Sequence, residues 1–519
     1  MWRTVSPTGE STAEACISFN QEEPRIAQCN GTPGHREGAS DGQKEQPHGF
    51  GGGAWLTMRI SNLNPAHDIG ASGWLIDIEG HRLLLDAGTH PKREGRDALP
   101  LYERIPAGDV DAIVISHCHH DHVGSLPIAA RRYPGAHVLM TELSYFLVER
   151  VLHNSVNVMV RQRDELGIRE YPLYSHDEVE DLAPRIQGFR YEREIEWAAH
   201  HKTRAGFVSP TVEFRDAGHT LGAAGVMVRG QRETLFYTGD VSFRDQTLLK
   251  AARFEDVQAD VLLMETTRGN RQTPAGFTRE AEAERLAEAI RATLKRKGSV
   301  LIPSFALGRT QEILGLLALL MRSGQIRRQP VYIGGLGRVF TEIYDLEAHR
   351  THRLHSNLML NQALDLVVLE RGQIDQMRLT GGRIFVLTSG MMAENTAAHD
   401  LALRFMGEER HAILFVGYAD PQTPGGRLKA SSSGRPFLFS RTAGEAVRRC
   451  ELAEFDLTAH ANREDMVDFV GQVAPRTVVL GHGEPEAQAW FETTLRKRFP
   501  KMKCLRPDPG ETVEPVAYG

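Results

Sequence analysis

The densest chemistry in the chain is Ser116-His117-Cys118-His119-His120-Asp121-His122, directly after the apolar run 112–115. His117, His119, Asp121 and His122 put three imidazoles and a carboxylate within six residues. In an extended turn, alternating positions let His117 and His119 reach one cation while Asp121 and His122 face a second. Imidazole with carboxylate and no thiolate suits Zn²⁺ that must keep an exchangeable water position. Six further residues end apolar runs: Asp86, His219, Asp240, Glu265, His460 and His482. Any one of them alone is more often a turn residue or a satisfied polar group. Six at equivalent strand ends would be collected along one edge of a sheet sandwich.

The elements that must position these residues are short apolar runs separated by turn residues. Runs 73–78 and 82–85 read as a hairpin turning at Glu79-Gly80-His81, and 112–115, 234–237 and 261–264 as further strands. Helix is expected after Gly124 and across 161–182. A second pattern begins with a helical stretch, 278–297, stopped by Gly298. Four strand-to-loop transitions follow: 299–303 into Ser304, 330–333 into Gly334, 383–387 into Thr388, and 412–416 into Gly417. Strand, small-residue turn and helix in alternation predict a doubly wound parallel sheet, with ligands at the strand carboxyl ends. The expected organisation is a first domain over 58–269 and 438–519, interrupted by an inserted α/β domain over 270–437. Residues 1–57 are rich in Gly, Ser, Glu and Gln and lack periodicity, which predicts a disordered tail with the true start at Met58.

Bulk properties narrow the field further. The 519 residues are 41% hydrophobic and 25% charged, ordinary for a globular protein, and the net charge of −6 excludes a global basic field. A polyanion would have to be held by local cations or by metal ions. Five scattered cysteines (Cys16, Cys29, Cys118, Cys450, Cys504) form no Cys-x-x-Cys pair, so a reducing compartment fits. No basic segment with an apolar run opens the chain, and the longest apolar stretch, near 316–321, is too short to span a bilayer. A soluble, cytoplasmic protein without a membrane partner is expected.

The series Asp86, His117-x-His119-x-Asp121-His122, His219 and Asp240 resembles the motif set of the metallo-β-lactamase fold. Glu265, His460 and His482 resemble the three additional motifs of its β-CASP branch, the nucleic-acid-processing nucleases. So do Ile302-Pro303-Ser304-Phe305-Ala306-Leu307-Gly308-Arg309-Thr310-Gln311-Glu312 and Ser389-Gly390-Met391-Met392. The resemblance runs from Met58 to about residue 510. It implies an α/β fold: an αββα metallo-β-lactamase sandwich with an inserted doubly wound β-CASP domain. His482 at the third additional motif is typical of RNA-cutting members, where DNA-repair members usually carry Val. The nearest likeness is to the endonuclease of the cleavage and polyadenylation machinery and its shorter bacterial and archaeal relatives.

The resemblance implies two Zn²⁺ per chain. His117, His119 and His219 would hold one, Asp121, His122 and His482 the other, and Asp240 would bridge them. Water between the cations would be acidified toward neutrality to attack phosphorus. Asp86 would orient a ligand or the nucleophile, and His460, supported by Glu265, would protonate the leaving oxygen. With Asp121, these make the expected catalytic set. Single-stranded RNA would run beneath the inserted domain, cut internally or from the 5′ end, and relatives of this kind often dimerise. Ser304, Gly308 and Arg309 before a helix, the Ser389-Gly390 loop and Tyr418 are the expected substrate contacts, with Arg338, Arg427 and Lys429 adding positive charge. Arg268 in Thr266-Thr267-Arg268-Gly269 stands where the family usually has an aromatic. The rival readings are a hydrolase of small esters or thioesters, a DNA nuclease, and a non-catalytic subunit. A large inserted domain, His482 and a complete ligand set argue against them in that order.

Overall fold

The computed structural model describes residues 57–197 and 209–516. The tail expected over 1–57 lies outside them except for its last residue. Two seven-stranded sheets form the first domain. One runs, in spatial order, Thr512–Val513, Arg59–Asn62, Trp74–Ile78, His81–Leu85, Ala112–Val114, His137–Thr141 and Ile186–Phe189. The other runs Lys503–Leu505, Thr477–Gly481, Val261–Glu265, Thr234–Tyr237, Ala224–Arg229, Thr211–Asp216 and Glu194–Glu196. The expected hairpin forms: Ile78 pairs His81, and Glu79 and Gly80 turn the chain with φ of 52° and 83°. Positive φ at both central residues matches the right-handed twist of the flanking strands.

The central strands of each sheet are buried on both faces, which is why they read as continuous apolar runs. Trp74, Ile76, Leu83, Leu85 and Val114 meet Phe214, Val226, Leu235, Tyr237 and Leu263 between the sheets. Leu75, Leu84, Ile113 and Val138 turn outward beneath the helices Leu126–Arg132 and Glu142–Leu166. Phe236, Leu262, Val478 and Leu480 do the same beneath Arg463–Val473 and Pro485–Arg498. The result is the expected αββα sandwich.

The inserted domain holds a six-stranded parallel sheet. Its order is Leu366–Val368, Val331–Ile333, Ile384–Leu387, Val300–Pro303, Ala412–Phe415 and Glu451–Glu454. Ile302 and Val300 face Ile313, Leu317 and Ile290 on one side, while Leu301, Phe385 and Ile413 face Leu401 and Phe405 on the other. Helices on both faces make it doubly wound. Its last strand lies beyond residue 437, where sequence patterning returned the chain to the first domain. Glu-Leu-Ala-Glu at 451–454 has no apolar run to betray it, because an edge strand pairs on one side only. The helical expectation over 161–182 also divides: Glu142–Leu166 ends at Gly167 with φ 73°, and a new helix starts at His176–Leu182 under a Ser175 capping box.

Candidate dinuclear metal centre and active site

Parallel strands end on one edge, and that edge carries the site. Leu85 and Val114 are partners in register, as are Tyr237 with Leu263 and Glu265 with Gly481. Asp86, His117, Asp240, Glu265 and His482 are therefore delivered together from positions far apart in the chain. Asp86 and His482 sit in left-handed backbone, with φ of 62° and 44°. That conformation costs a non-glycine residue about 1–2 kcal/mol, and it turns each side chain across its strand end.

Two ligand sets share one carboxylate. Asp240 Oδ2 lies 3.6 Å from His117 Nε2 and 3.7 Å from His219 Nε2, and His219 Nε2 lies 3.1 Å from His119 Nδ1. Asp240 Oδ1 lies 3.4 Å from His482 Nε2 and 3.5 Å from His122 Nε2. Asp121 Oδ2 completes that second set, 3.7 Å from His482 and 4.0 Å from His122. The structure thus brings together His117, His119, His219 and Asp240, and separately Asp121, His122 and His482.

The hydrogen bonds around these imidazoles show that the arrangement fits cations. His219 Nδ1 donates to the Ala459 carbonyl at 2.9 Å, and His119 Nε2 donates to the Leu307 carbonyl at 3.3 Å. A carbonyl only accepts, so in the neutral rings His219 Nε2 and His119 Nδ1 are both left with lone pairs. Those lone pairs face each other at 3.1 Å, a contact that a cation between them relieves. His117 Nε2, His122 Nε2, His482 Nε2 and Asp240 Oδ1 are buried without a hydrogen-bond partner. Burial, reinforced by neighbouring imidazoles, holds His117 and His219 well below the usual histidine range, so protons are poor substitutes there.

Asp86 is fully buried and orients the second set. It accepts from Ser116 N at 2.7 Å, Ser116 Oγ at 2.8 Å, His122 Nδ1 at 2.7 Å and Tyr237 Oη at 2.7 Å. Its contact with His122 leaves that ring's Nε2 aimed at Asp121 and Asp240. On the opposite side, His460 Nδ1 lies 3.1 Å from Glu265 Oε2 and 4.0 Å from Asp240 Oδ2. Glu265 Oε1 also accepts from Val241 N at 2.7 Å. Burial opposes the charge on His460, but the Glu265 and Asp240 carboxylates outweigh it and hold the imidazolium above the usual histidine range.

A model of the metallo-β-lactamase superfamily matches residues 69–292, one of the β-CASP domain 310–428, and one of a Zn-dependent metallo-hydrolase RNA specificity domain 445–507. Ribonuclease TTHA0252 of Thermus thermophilus is 32% identical over 460 residues, covering 86% of this chain and 98% of that protein. The chain belongs to the β-CASP branch of the metallo-β-lactamase superfamily. Probable RNase MJ4 of Methanocaldococcus jannaschii is 29% identical, with 83% of this chain and 94% of that protein covered. Endoribonuclease YSH1 of Eremothecium gossypii is 26% identical over 86% of this chain, which spans 58% of that protein's length. A solved structure of a protein of unknown function from Enterococcus faecalis shares the fold, with a TM-score of 0.53 at 13% identity, covering 88% of this chain and all of that one.

The inserted β-CASP domain grips the metal-ligand loops directly. Besides the Leu307 contact with His119, Arg309 Nη2 donates to Gln246 Oε1 at 3.0 Å. Gln246 Nε2 in turn donates to the carbonyls of Gly218 at 2.6 Å and His219 at 2.8 Å. Glu312 accepts from the backbone N–H groups of Thr247, Leu248 and Leu249. At the other end of the cleft, Lys92 Nζ bridges Asp420 at 2.8 Å and Glu484 at 2.9 Å.

Several expected substrate contacts have other work. Arg309 is buried and spent on Gln246. The N–H groups of Gly308, Arg309 and Thr310 are taken by Gln311 Oε1, the Leu307 carbonyl and the Phe305 carbonyl, so this helix start offers no open cradle for a phosphate. Ser304 is buried, with its hydroxyl 3.5 Å from the Ile302 carbonyl. Ser389 Oγ caps Ala393 N at 2.7 Å, and Gly390 packs against Phe305. Arg338 pairs with Glu342, Lys429 with Glu454, and Arg427 reaches the Phe439 carbonyl. Tyr418 stands half-exposed, as does the Arg338 side chain.

Arg268, the departure from the family pattern, has a partner that explains it. It makes two hydrogen bonds to Asp456, at 3.0 and 2.6 Å, tying the loop after Glu265 to the loop before His460. Tyr237, Gln246, Glu312 and the Leu307 carbonyl escaped sequence reasoning. Tyr237 had a signal, since it stands three residues before Asp240 in a strand whose ends carry the site. A backbone carbonyl carries none.

Proposed function

We propose that the protein is a zinc-dependent ribonuclease that hydrolyses phosphodiester bonds of single-stranded RNA, by internal cuts or by trimming from the 5′ end. One observation carries the reading: the two oxygens of Asp240 face separate imidazole–carboxylate sets, with the Glu265–His460 pair beside the shared carboxylate. The names of the ribonuclease relatives and of the matched RNA specificity domain support RNA as substrate.

His117, His119 and His219 would hold one zinc, Asp121, His122 and His482 the other, and Asp240 both. Bound as a pair, the zincs supply an acidified water and positive charge against the phosphoryl oxygens. The chain does the rest. Asp86 keeps His122 in one tautomer, and the Leu307 and Ala459 carbonyls do so for His119 and His219. With Nδ1 held by Glu265, His460 has Nε2 free to give a proton to the leaving oxygen as the P–O bond breaks. Glu265 stabilises the imidazolium before that transfer, and Asp121 adds negative charge on the nucleophile's side. Among the described residues no helix is long and apolar enough to cross a membrane, and Cys118, Cys450 and Cys504 are buried free thiols, in keeping with a cytoplasmic setting. A homodimer is the assembly we expect, open to test by sedimentation.

The test is cleavage of 5′-labelled and internally labelled RNA, with matched DNA, by zinc-loaded protein and an Asp240→Ala control. RNA cut by the wild type alone supports the proposal, and fragment lengths separate internal cuts from end trimming. Intact RNA despite two bound zincs per chain overturns it.

A further inference from the structure

Two aromatic rings stand open at neighbouring strand ends of the β-CASP sheet. Phe305 follows the strand Val300–Pro303 and is 36% exposed; Tyr418 follows the adjacent strand Ala412–Phe415 and is 50% exposed. Both present part of a ring face to solvent. Each is held from one side only. A Cβ at Gly390 would lie 3.1 Å from two ring carbons of Phe305, so glycine there lets the ring lie flat against the loop backbone. Tyr418 is pinned at its hydroxyl, which donates to Asp420 Oδ2 at 3.2 Å, and Asp420 is itself clamped by Lys92.

The two rings connect to different ligand sets of the candidate centre. Phe305 is two residues from Leu307, whose carbonyl holds His119 of the first ligand set. Tyr418 is anchored through Asp420 and Lys92 to Glu484, two residues from His482 of the second set. We infer that Phe305 and Tyr418 form a pair of base-stacking platforms that seat RNA bases on either side of the scissile phosphate. The inference rests on the RNA reading above. Stacking tolerates any base, because every base presents a π face, and rings already immobilised lose little entropy on binding. It also answers the charge problem. The chain carries −6 overall, and Lys429 and Arg309 are engaged within the protein, so stacking adds a grip on the strand that needs no further cation.

The test compares zinc-loaded wild type with Phe305→Leu and Tyr418→Leu, which keep apolar bulk and remove the π face, and with Phe305→Tyr and Tyr418→Trp, which keep it. The substrates are a 20-nucleotide single-stranded RNA bearing one 2-aminopurine, and bis(p-nitrophenyl) phosphate, a phosphodiester without bases. The expected result is a rise in KM for RNA of about tenfold or more in each Leu variant, the size of one lost base–aromatic stack. The loss on bis(p-nitrophenyl) phosphate should be at least tenfold smaller, quenching of 2-aminopurine should weaken, and the aromatic replacements should restore both. Equal losses on the two substrates, or an unchanged KM for RNA, overturn the inference. Wild type that hydrolyses bis(p-nitrophenyl) phosphate but neither cuts nor quenches the RNA overturns the RNA reading itself.

Discussion

Leu307, in the inserted β-CASP domain, accepts a hydrogen bond from His119 Nε2 at 3.3 Å through its backbone carbonyl. The inserted domain thereby contributes to the candidate metal site, because it sets which nitrogen of His119 carries the lone pair. The carbonyl's position depends on Gly308, whose φ is 84° and whose Cβ would lie 2.6 Å from Thr220 Cγ2. Gly308→Val should lower zinc affinity at the His117, His119 and His219 set by about 10–100-fold, the usual effect of disturbing an outer-shell partner. Metal analysis after mild chelation should find one zinc per chain where the wild type keeps two. Two equally retained zincs would rule this out.

Asp86→Ala should act on the other set. It removes the acceptor for His122 Nδ1, Ser116 and Tyr237 at once, so a loss of about 10–100-fold in zinc affinity is expected there. Tyr237→Phe removes one of those contacts and should lose less. Competition titrations with a chromophoric chelator would rank the two.

His460→Gln should reduce RNA cleavage by about 10²–10⁴-fold, the size of a lost general acid, while both zincs stay bound. Glu265→Gln should cut the rate in the same direction by a smaller factor, since the imidazole remains. Loss of metal from the His460 variant, read by mass spectrometry, would make His460 a ligand instead.

Breaking the Arg268–Asp456 pair should destabilise the fold. The side chains are 8% and 11% exposed, so Arg268→Met leaves a nearly buried carboxylate with only the longer Arg271 contact at 3.8 Å, at a cost of about 1–3 kcal/mol. Asp456→Asn on that background should recover part of the loss. Urea unfolding of the single and double variants measures it, and additive effects would show that the pair is not coupled.

Asp216 makes stability depend on pH. Burial, the largest influence, pushes its carboxyl up to about 7, with the Gly218 N–H and Arg253 opposing. The folded state therefore holds its proton more tightly than the unfolded chain. Its contribution is undiminished below about pH 4, declines as pH rises toward 7, and is level above that. Asp216→Asn keeps an acceptor for Gly218 N and should be more stable than wild type by about 1–2 kcal/mol at pH 8, with the partial exposure of the site allowed for. The gain should vanish at pH 4. Thermal melts at both values check the sign.

Most of the candidate site was legible because histidines and carboxylates declare themselves by residue type. Histidines and carboxylates at the ends of apolar runs are recognisable before any pairing is known, and parallel strand ends do converge. The expected contacts that have partners within the protein share one ambiguity. A glycine-containing turn before a helix, as at Gly308-Arg309, suits a phosphate cradle and a tight interdomain packing equally well. Only the neighbours decide, and here Gln311, Thr220 and Gln246 occupy the donors and the space. The strand Glu451–Glu454 was hidden for a similar reason, since an edge position demands little apolar surface.

The sandwich with its inserted parallel sheet was written in the sequence, as were the histidines and carboxylates that the fold then gathers at one edge, Glu265 beside His460 among them. These follow from side-chain chemistry and apolar periodicity, which are properties of short stretches. Tertiary structure alone decided which oxygen of Asp240 serves which ligand set, which nitrogen of each histidine is free, and which expected contacts are buried. It also left the rings of Phe305 and Tyr418 exposed at the ends of adjacent strands. Those outcomes depend on hydrogen-bond partners hundreds of residues away, and a backbone carbonyl or an open ring face has no letter in the sequence.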